Sequence, residues 1–446
     1  GFGRSGSAPR GTHPILLIGL DGIEWDVALP LLRDGRLPTL GGLMARGIGG
    51  ELASIRPTIS PTIWTTIATG RAPEDHGIRG FLLESASGAP GRLYTSADRR
   101  VPAFWDIASS AGRRCHVLGW WNTFPVEPIE GVMVAQVNTL DPKEQPFGVE
   151  LWKGGLFEDL EGQVYPPDRK EELLAEIPAA DGEMGALAER ILGGRSEPDG
   201  ALEKRLWANC IWSFRADRTY QRIALKLLRA QEPFDVLAIY LGGGDVAGHR
   251  FWRYQEPDFF QHRPTGEEVK AYGRVIADYY IYLDELLGEI LAAAPPDCNV
   301  LVVSDHGMEP ANPDRIFTPE RPMRMVTSGA HPGAPPGLFA AAGPDIRPTG
   351  FAAPVEGLRR EDLPRPGSVM DITPTLLALL DLPLGRDMVG RPMEAVIRPS
   401  FLAEHPIREV DTLTPPGWLE SRQAASGTEH LPEERIEQLR SLGYLD

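Results

Sequence analysis

Asp21, Asp245 and Asp305 each follow an apolar run that has the character of a buried strand. Ligands of open α/β sheets bind beyond the carboxyl ends of the strands, so these three side chains are expected to meet at one edge. A turn or a helix cap accounts for any one such aspartate. Three carboxylates at the same edge repel each other, however, and this repulsion predicts a cation between them.

Histidines accompany two of the three aspartates. His306 follows Asp305 directly, and His249 lies four residues after Asp245, on the same face if that segment is helical. His331 stands in a loop further along and, taken alone, has the pattern of an ordinary surface histidine. Carboxylate oxygen together with imidazole nitrogen is a ligand set for Zn²⁺, with Mn²⁺ as the alternative.

Ser60 and Pro61 begin a stretch that ends at Gly70 and has a helix signature, with Ser as the N-cap and Pro at the first helical position. Two interpretations of Ser60 are open at this point. In the first it is a plain helix cap. In the second it is a nucleophile, because backbone N–H groups and the helix dipole at an N-terminus stabilise an alkoxide and an attached phosphoryl group.

The rest of the sequence supplies a framework for these side chains. Short apolar runs alternate with longer helical patterns, which predicts an α/β fold with a parallel sheet covered by helices. The clearest strands have the dense apolar character of strands buried on both faces, and they are Ile15–Leu20, His116–Trp120, Val236–Leu241, Val300–Ser304 and Leu338–Ala342. The predicted helices are Leu37–Ala45, Pro61–Thr69, Ala201–Ala230, Glu267–Ala294 and Asp371–Leu380.

The sequence divides into a leader, one α/β domain and a tail. Residues 1–13 are expected to form a flexible leader, residues 14–398 the domain, and residues 399–446 a polar tail that ends in an amphipathic helix at Pro432–Leu442. Between residues 138 and 195, Pro, Gly and acidic residues predominate. This segment is expected to be an insertion over the sheet edge, and it is interpreted either as a lid-like region or as a plain surface loop.

Composition narrows the classes of partner and compartment. Of the 446 residues, 42% are hydrophobic, and no apolar stretch approaches the roughly 20 residues of a transmembrane helix. The net charge of −17 repels nucleic acid polymers and anionic membranes, so neither is an expected partner.

Three widely spaced cysteines predict small buried thiols. If the leader is a processed end, the protein is exported to the periplasm or the extracellular space; otherwise it is cytoplasmic.

Taken together, these motifs resemble those of the alkaline phosphatase superfamily, and within it the type I phosphodiesterase/nucleotide pyrophosphatase branch. The matching segments are, in chain order, Gly19–Gly22, Ser60–Ile78, Asp245 with His249, Asp305–Gly307, His331 and Asp371–Leu377. Any one of these motifs alone is weak evidence for the family, whereas six metal ligands and a nucleophile in the family's order make a specific match. The resemblance implies an α/β/α sandwich with a mostly parallel central sheet.

The resemblance also implies roles for individual residues and two divalent metal ions. One ion would be held by Asp245, His249 and His331, and a second by Asp21, Asp305, His306 and Ser60. Ser60 would be the nucleophile of a double displacement at phosphorus, with a phosphoserine intermediate. His76 matches a turn of the family that follows the nucleophile and is expected to be structural rather than a ligand.

Departures from the family pattern bear on the substrate, which is expected to be a small phosphate ester. Many members of this branch have Thr as the nucleophile and an Asn a few residues later near the phosphate. This chain has Ser60 and no Asn before Gly70, so a nucleotide preference is not implied. Formylglycine sulfatases need Pro and Arg where this chain has Thr62 and Trp64, which argues against sulfatase chemistry.

The groups near Ser60 favour phosphodiesters over phosphomonoesters. A monoester dianion usually needs cations beyond the two metals, and no basic residue occurs between Ser60 and Arg71. Thr62 and Trp64 are therefore predicted to contact the substrate. Trp64, together with Trp120–Trp121, would shelter the second ester group of a diester.

Three alternative functions remain open: a phosphomonoesterase, a metal-dependent phosphomutase of the same superfamily, and a non-catalytic metal or ligand binder. A mutase needs a dense set of Arg and Lys to hold a phosphorylated acid. The sequence between Ser60 and Asp245 has only scattered basic residues. A non-catalytic protein would normally have lost part of the ligand set.

Overall fold

Nine of the described strands form one sheet. The computed structural model describes residues 11–83, 92–137, 139–140, 151–152, 156, 160–179, 182–192, 201–311, 328–349 and 357–425, with the backbone alone for 139–140, 151–152, 201–209 and 422–425. The strands of the sheet are β1 Ile15–Leu20, β2 Ile48–Ala53, β3 Cys115–Leu118, β4 Gly131–Val134, β5 Val164–Tyr165, β6 Val236–Leu241, β7 Asn299–Val303, β8 Gly337–Ala342 and β9 Gly367–Ser368.

The strand order across the sheet is β9-β2-β8-β7-β1-β6-β3-β4-β5. The five central strands, from β7 to β4, run parallel to each other. β8 is antiparallel to both of its neighbours, and β5 is antiparallel to β4. The sheet is therefore mostly parallel, as the sequence predicts.

Helices cover both faces of this sheet. They are α1 Trp25–Arg33, α2 Pro38–Arg46, α3 Ser60–Thr69, α4 Pro73–His76, α5 Phe104–Ser110, α6 Lys170–Leu174, α7 Glu183–Ile191, α8 Ala201–Arg229, α9 Gly243–Gln255, α10 Gly266–Tyr272, α11 Val275–Ala293, α12 Ile372–Leu379, α13 Pro399–Glu404 and α14 Trp418–Ala425. Leu16 and Ile18 of β1 belong to a core formed with α1, α2, α8, α9 and α11, whereas Ile15 and Leu17 face a core formed with α3, α5 and α12. This alternation confirms an α/β/α sandwich. None of the described helices combines the length and the apolar character needed to cross a membrane.

Smaller elements complete the described chain. Short strand pairs join Leu82–Leu83 to Arg92–Leu93, Thr139–Leu140 to Leu151–Trp152, Glu309–Pro310 to Gly329–Ala330, and Leu384–Gly385 to Glu409–Val410. Short 3-10 helices occur at Ser96–Asp98, Pro167–Arg169, Pro257–Phe259, Arg360–Asp362 and Val369–Asp371.

The predicted elements agree with the structure except where the backbone approaches a neighbour closely. The five predicted strands appear with their ends shifted by at most two residues. The predicted helix Glu267–Ala294 is wrong in one respect, because it is divided into α10 and α11. A Cβ at Gly273 would lie 2.6 Å from the carbonyl oxygen of Val269 and 3.1 Å from that of Tyr254. The chain passes close to α9 at this point, and a continuous helix does not form.

The described part of the predicted insertion is fixed to the body of the domain. Val164–Tyr165 adds the edge strand β5, and Leu173 and Ala188 of α6 and α7 are fully buried. The guanidinium of Arg169 donates to both carboxylate oxygens of Glu232, at 2.8 and 3.2 Å. The described part of the insertion therefore packs against the edge of the sheet, and a lid-like role of this segment stays a prediction. Residues 141–150 lie outside the described residues.

The cysteines are buried free thiols, as predicted. Burial raises the pKa of the Cys210 and Cys298 thiols to about 12, so neither forms a thiolate at neutral pH. The predicted terminal helix Pro432–Leu442 and residues 1–10 of the predicted leader lie outside the described residues.

Candidate active site

Three adjacent parallel strands bring the three aspartates to one edge of the sheet. Asp21 follows β1, Asp305 lies just beyond β7, and Asp245 lies in the first turn of α9, directly after β6. All three carboxylates are fully buried. The N–H of Gly22 donates to Asp305 Oδ1 at 3.3 Å and so links the ends of β1 and β7.

His306 lies at the centre of this cluster. Its Nε2 is 3.2 Å from Asp305 Oδ2 and 3.6 Å from Asp21 Oδ1. The same nitrogen is 3.3 Å from Ser60 Oγ, and the ring stacks on that of His331 with centroids 4.1 Å apart. Two groups of side chains have their ligand atoms within 4.8 Å of one another and could each hold a metal ion: Asp21, Asp305 and His306, and Asp245, His306 and His331.

His249 stands beside the second group. Its Nε2 is 3.2 Å from Asp245 Oδ1, and its ring lies edge-to-face with that of His331 at 5.0 Å. The first group is the set that the resemblance implied for one ion, without Ser60. For the other ion the resemblance implied Asp245, His249 and His331. In the structure, the ligand atom of His306 rather than that of His249 lies within 4.8 Å of those of Asp245 and His331.

The Nδ1 atoms of the three histidines are anchored, which turns their Nε2 atoms towards the cluster. Nδ1 of His249 lies 2.8 Å from the carbonyl oxygen of Gly329, and Nδ1 of His306 lies 2.9 Å from that of Gly307. Because a carbonyl only accepts, both Nδ1 atoms carry a proton and donate it, and Nε2 is the nitrogen that faces the carboxylates in both rings. Neutral imidazole with an anchored N–H is the usual state of a metal-ligating histidine.

Thr58 fixes the third histidine in the same state. Its hydroxyl donates to the backbone carbonyl oxygen of His331. The hydrogen of Thr58 is thereby used, so the contact of 3.4 Å between its Oγ1 and Nδ1 of His331 has the imidazole as donor. Nε2 of His331 is therefore the ring nitrogen that remains available to a metal ion.

Ser60 is the first residue of α3 and not its cap, which corrects one of the two interpretations of this residue. The N-cap position is held by Ile59, which makes no side-chain capping bond. Ser60 is 1% exposed, and its hydroxyl is within hydrogen-bond distance of Nε2 of His306, at 3.3 Å. The hydroxyl thus lies at a helix N-terminus and within the carboxylate–imidazole cluster, where a nucleophile would be activated.

The structure does not support a substrate contact for Trp64. Its ring is fully buried, edge-to-face with Trp120 and Tyr240, and its indole N–H donates to Asp21 Oδ2 at 3.3 Å. Rings without exposed surface offer nothing to a ligand, so the predicted sheltering of an ester group by Trp64 and Trp120 is wrong. Thr62 is 5% exposed, and helix positions two residues apart do not share a face. A substrate contact of Thr62 stays a prediction.

Tyr240 is a site residue that sequence reasoning missed. Its hydroxyl donates to Asp21 Oδ2. Burial, and then the charge of Asp21, raise the pKa of this phenol well above its ordinary value, so it remains a proton donor. The available signal was a tyrosine inside the otherwise apolar strand β6, because a buried phenol needs a hydrogen-bond partner.

Asp217 of α8 was also missed, and it holds the N-terminus of α9. Its carboxylate accepts the N–H of Gly242 at 2.8 Å, the N–H of Gly243 at 3.0 Å and the hydroxyl of Tyr279 at 2.5 Å. Burial raises the pKa of Asp217 to about 7, although these three donors act in the opposite direction. A Cβ at Gly243 would lie 1.9 Å from the Tyr279 hydroxyl, so glycine is needed there. These contacts fix where α9, which carries Asp245, begins.

The donor set fits divalent metal ions. Three buried carboxylates at one edge of the sheet need a positive countercharge, and their ligand atoms form two groups with His306 and His331 in which all distances are within 4.8 Å. Carboxylate oxygen with neutral imidazole nitrogen is the chemistry of Zn²⁺ and Mn²⁺ sites.

Comparisons with known proteins find one family model and several solved structures that are similar to this chain. The model of the type I phosphodiesterase / nucleotide pyrophosphatase family matches residues 15–363. Murine ectonucleotide pyrophosphatase / phosphodiesterase 5 is similar in structure with 14% identity and a TM-score of 0.45, over 83% of this chain and 95% of that chain. A 2-O GAG sulfatase is similar with 13% identity and a TM-score of 0.49, over 91% and 76%. Phosphonoacetate hydrolase from Sinorhizobium meliloti has 19% identity and a TM-score of 0.41, over 69% and 58%. No curated protein matches the sequence significantly.

Proposed function

Because the chain belongs to the type I phosphodiesterase / nucleotide pyrophosphatase family of the alkaline phosphatase superfamily, we propose that it hydrolyses small phosphodiesters through a phosphoserine at Ser60. The observation that carries this proposal is the position of the Ser60 hydroxyl. It lies 3.3 Å from His306 Nε2, at the start of α3 and beside the buried aspartates.

Two divalent ions, Zn²⁺ or Mn²⁺, are part of the proposal. One would be held by Asp21, Asp305 and His306 next to Ser60, and the other by Asp245, His249 and His331. When bound, such ions lower the pKa of a neighbouring hydroxyl and stabilise negative charge on the oxygens around phosphorus.

Ser60 makes and breaks the bond to phosphorus. Its hydroxyl loses the proton to solvent, and Oγ attacks phosphorus in line. The Oγ–P bond forms while the bond from phosphorus to the leaving oxygen breaks, and the leaving oxygen takes up a proton from water. Water then attacks the phosphoserine, the Oγ–P bond breaks, Ser60 regains its proton and a monoester is released. The N-terminus of α3 favours the negative charge at Oγ in both steps.

The lack of a cation bonded to Ser60 among the described residues supports diesters as the substrate class. Among the described residues, Ser60 makes no hydrogen bond with an Arg or Lys. Arg71 is at the far end of α3 and pairs with an aspartate, and Arg56 donates to the carbonyl oxygens of Pro332 and Ala334. A monoester dianion usually needs a cation on its non-bridging oxygens, whereas a diester carries one charge less.

The test measures kcat/KM for bis-aryl, alkyl-aryl and mono-aryl phosphates that share one leaving group. Ser60→Ala is expected to remove nearly all turnover while the bound metal is kept, and acid quench of the wild type should trap phosphate on Ser60. The matched control is Ser213→Ala, which removes a buried hydroxyl of α8 that donates to the carbonyl oxygen of Cys210. This control should keep its turnover.

Each alternative function has its own outcome in this test. Near-normal turnover by Ser60→Ala would rule Ser60 out as the nucleophile. A tenfold preference for the monoester corresponds to about 1.4 kcal/mol of extra stabilisation and would make the enzyme a phosphomonoesterase. Conversion of a phosphorylated acid without release of phosphate would indicate a mutase. Metal binding without turnover of any ester would indicate a binding protein.

A further inference from the structure

The carboxylate of Asp21 has its two oxygens in different surroundings. The hydroxyl of Tyr240 and the indole N–H of Trp64 both donate to Oδ2, the second of these at 3.3 Å. The other oxygen, Oδ1, is the one that lies 3.6 Å from Nε2 of His306. One oxygen is thus engaged by the interior of the protein and the other faces the cluster.

The two donors have little freedom to move. Tyr240 lies in β6, in register with Gly19 of the neighbouring strand β1. The ring of Trp64 lies against Gly19, where a Cβ would be 2.6 Å from the ring. The two aromatic rings are edge-to-face at 5.0 Å, and both side chains are almost completely buried. The hydrogen bonds to Oδ2 therefore hold Asp21 in one orientation.

Asp305, in the same group of candidate ligands, is divided in the same way. Its Oδ1 accepts the backbone N–H of Gly22 at 3.3 Å, and its Oδ2 lies 3.2 Å from Nε2 of His306. Each of the two carboxylates in this group thus turns one oxygen to the centre and the other to a donor of the protein.

We propose that Tyr240 and Trp64 are positioning residues that restrict Asp21 to coordination through one oxygen, and that this restriction sets the cation preference of the site in favour of Zn²⁺ over Ca²⁺. This inference rests on the proposed function, which supplies the metal. Zn²⁺ takes about four ligands and is satisfied by single oxygens. Ca²⁺ takes about six to eight oxygens and gains from carboxylates that bind through both. Hydrogen-bond partners of metal ligands typically change metal affinity by about 10–100-fold.

The experiment titrates Zn²⁺ and Ca²⁺ into metal-free wild type and Tyr240→Phe, which keeps the ring and removes the donor. The affinity of one of the two sites for Zn²⁺ is expected to fall by about 10–100-fold. The affinity for Ca²⁺ should not fall, so the ratio of the two affinities decreases at least tenfold. With Co²⁺ as a probe, the visible absorption of that site should lose intensity as Asp21 binds through both oxygens. Trp64→Phe is expected to shift all three readouts in the same direction.

Tyr282→Phe is the matched control. Tyr282 is a buried tyrosine of α11 whose hydroxyl makes no hydrogen bond among the described residues. The Tyr282→Phe variant should leave both metal affinities and the Co²⁺ spectrum unchanged. The melting temperature of each metal-free variant shows whether that variant is folded.

The outcomes separate this inference from the proposed function. If the wild type binds two ions and neither Tyr240→Phe nor Trp64→Phe changes the affinities, the ratio or the spectrum, the positioning role is overturned and the proposed function is unaffected. If the wild type binds no divalent ion, the metal component of the proposed function is overturned, and this inference with it.

Discussion

Replacement of His76 by Gln is expected to make the stability of the protein less sensitive to acid. His76 ends α4 and is fully buried. Its Nδ1 accepts the N–H of Ile78 at 3.2 Å, so its proton is on Nε2, which donates to Thr66 of α3 at 3.0 Å. A second proton on Nδ1 would break the bond to Ile78. It would also bury a positive charge near Arg99 and Arg71.

The size of the effect follows from the pKa of His76. Burial, and then the neighbouring arginines, lower this pKa from 6.5 to about 3. The folded protein binds the proton less tightly than the unfolded chain, so the stability that the neutral imidazole contributes is complete above pH 6.5. It is lost as the pH falls from 6.5 through about 3. At 1.36 kcal/mol per pH unit, the loss reaches about 3 kcal/mol at pH 4.5.

The assay is urea unfolding of the metal-free protein between pH 8 and pH 4.5. The amide of Gln can accept from Ile78 and donate to Thr66 but does not titrate. His76→Gln should cost about 1–2 kcal/mol at pH 8 through poorer packing. Because wild type loses about 3 kcal/mol by pH 4.5 and the variant does not, the variant should be the more stable of the two at pH 4.5, by about 1–2 kcal/mol. Thr66→Val, the control, removes the hydrogen bond but keeps the imidazole, so its cost should not vary with pH. A difference between wild type and His76→Gln that stays constant over this range would refute the reasoning.

Three further predictions address the metals, a buried ion pair and a helix end. A chelator should abolish turnover and Zn²⁺ or Mn²⁺ should restore it, whereas elemental analysis showing less than one ion per chain would contradict the two-metal site. Arg99→Leu removes the guanidinium that lies 2.8 Å from the buried carboxylate of Glu127. This variant should lower the free energy of unfolding, measured in urea, by about 3–5 kcal/mol. The control Arg263→Leu, which removes one member of an exposed ion pair, should leave that free energy unchanged. Gly70→Ala should lower the melting temperature more than Gly35→Ala, because both glycines have positive φ but only at Gly70 would the Cβ lie 3.0 Å from a proline ring.

Strands buried on both faces could be predicted from the sequence, because such strands are continuous apolar runs. β1 and β6 have the predicted bounds for this reason. β2 could not be predicted, because Gly49 and Gly50 interrupt its apolar pattern. A Cβ at Gly49 would lie 2.7 Å from Met44, and one at Gly50 would lie 2.4 Å from the carbonyl oxygen of Pro364. The glycines are needed for contacts that only the folded chain makes.

The candidate site residues could be proposed from motifs, whereas the residues that hold them in place could not. Aspartate and histidine at strand ends are readable because a metal site requires those side-chain types. Tyr240 binds Asp21 from 219 positions away, and Thr58 binds His331 from 273 positions away. Neither belongs to a local motif, and their roles depend on the order of strands in the sheet.

The segment before α3 connects the proposed nucleophile Ser60 to the candidate metal ligand His331. Thr58 exchanges two contacts with His331, one through the backbone carbonyl and one through Nδ1. Arg56 donates to the carbonyl oxygens of Pro332 and Ala334 in the same loop. Ser60 follows Thr58 by two residues and begins α3. The contacts of Arg56 and Thr58 therefore join the His331 loop to the segment that leads into Ser60, and one local structure fixes the positions of both candidate site residues.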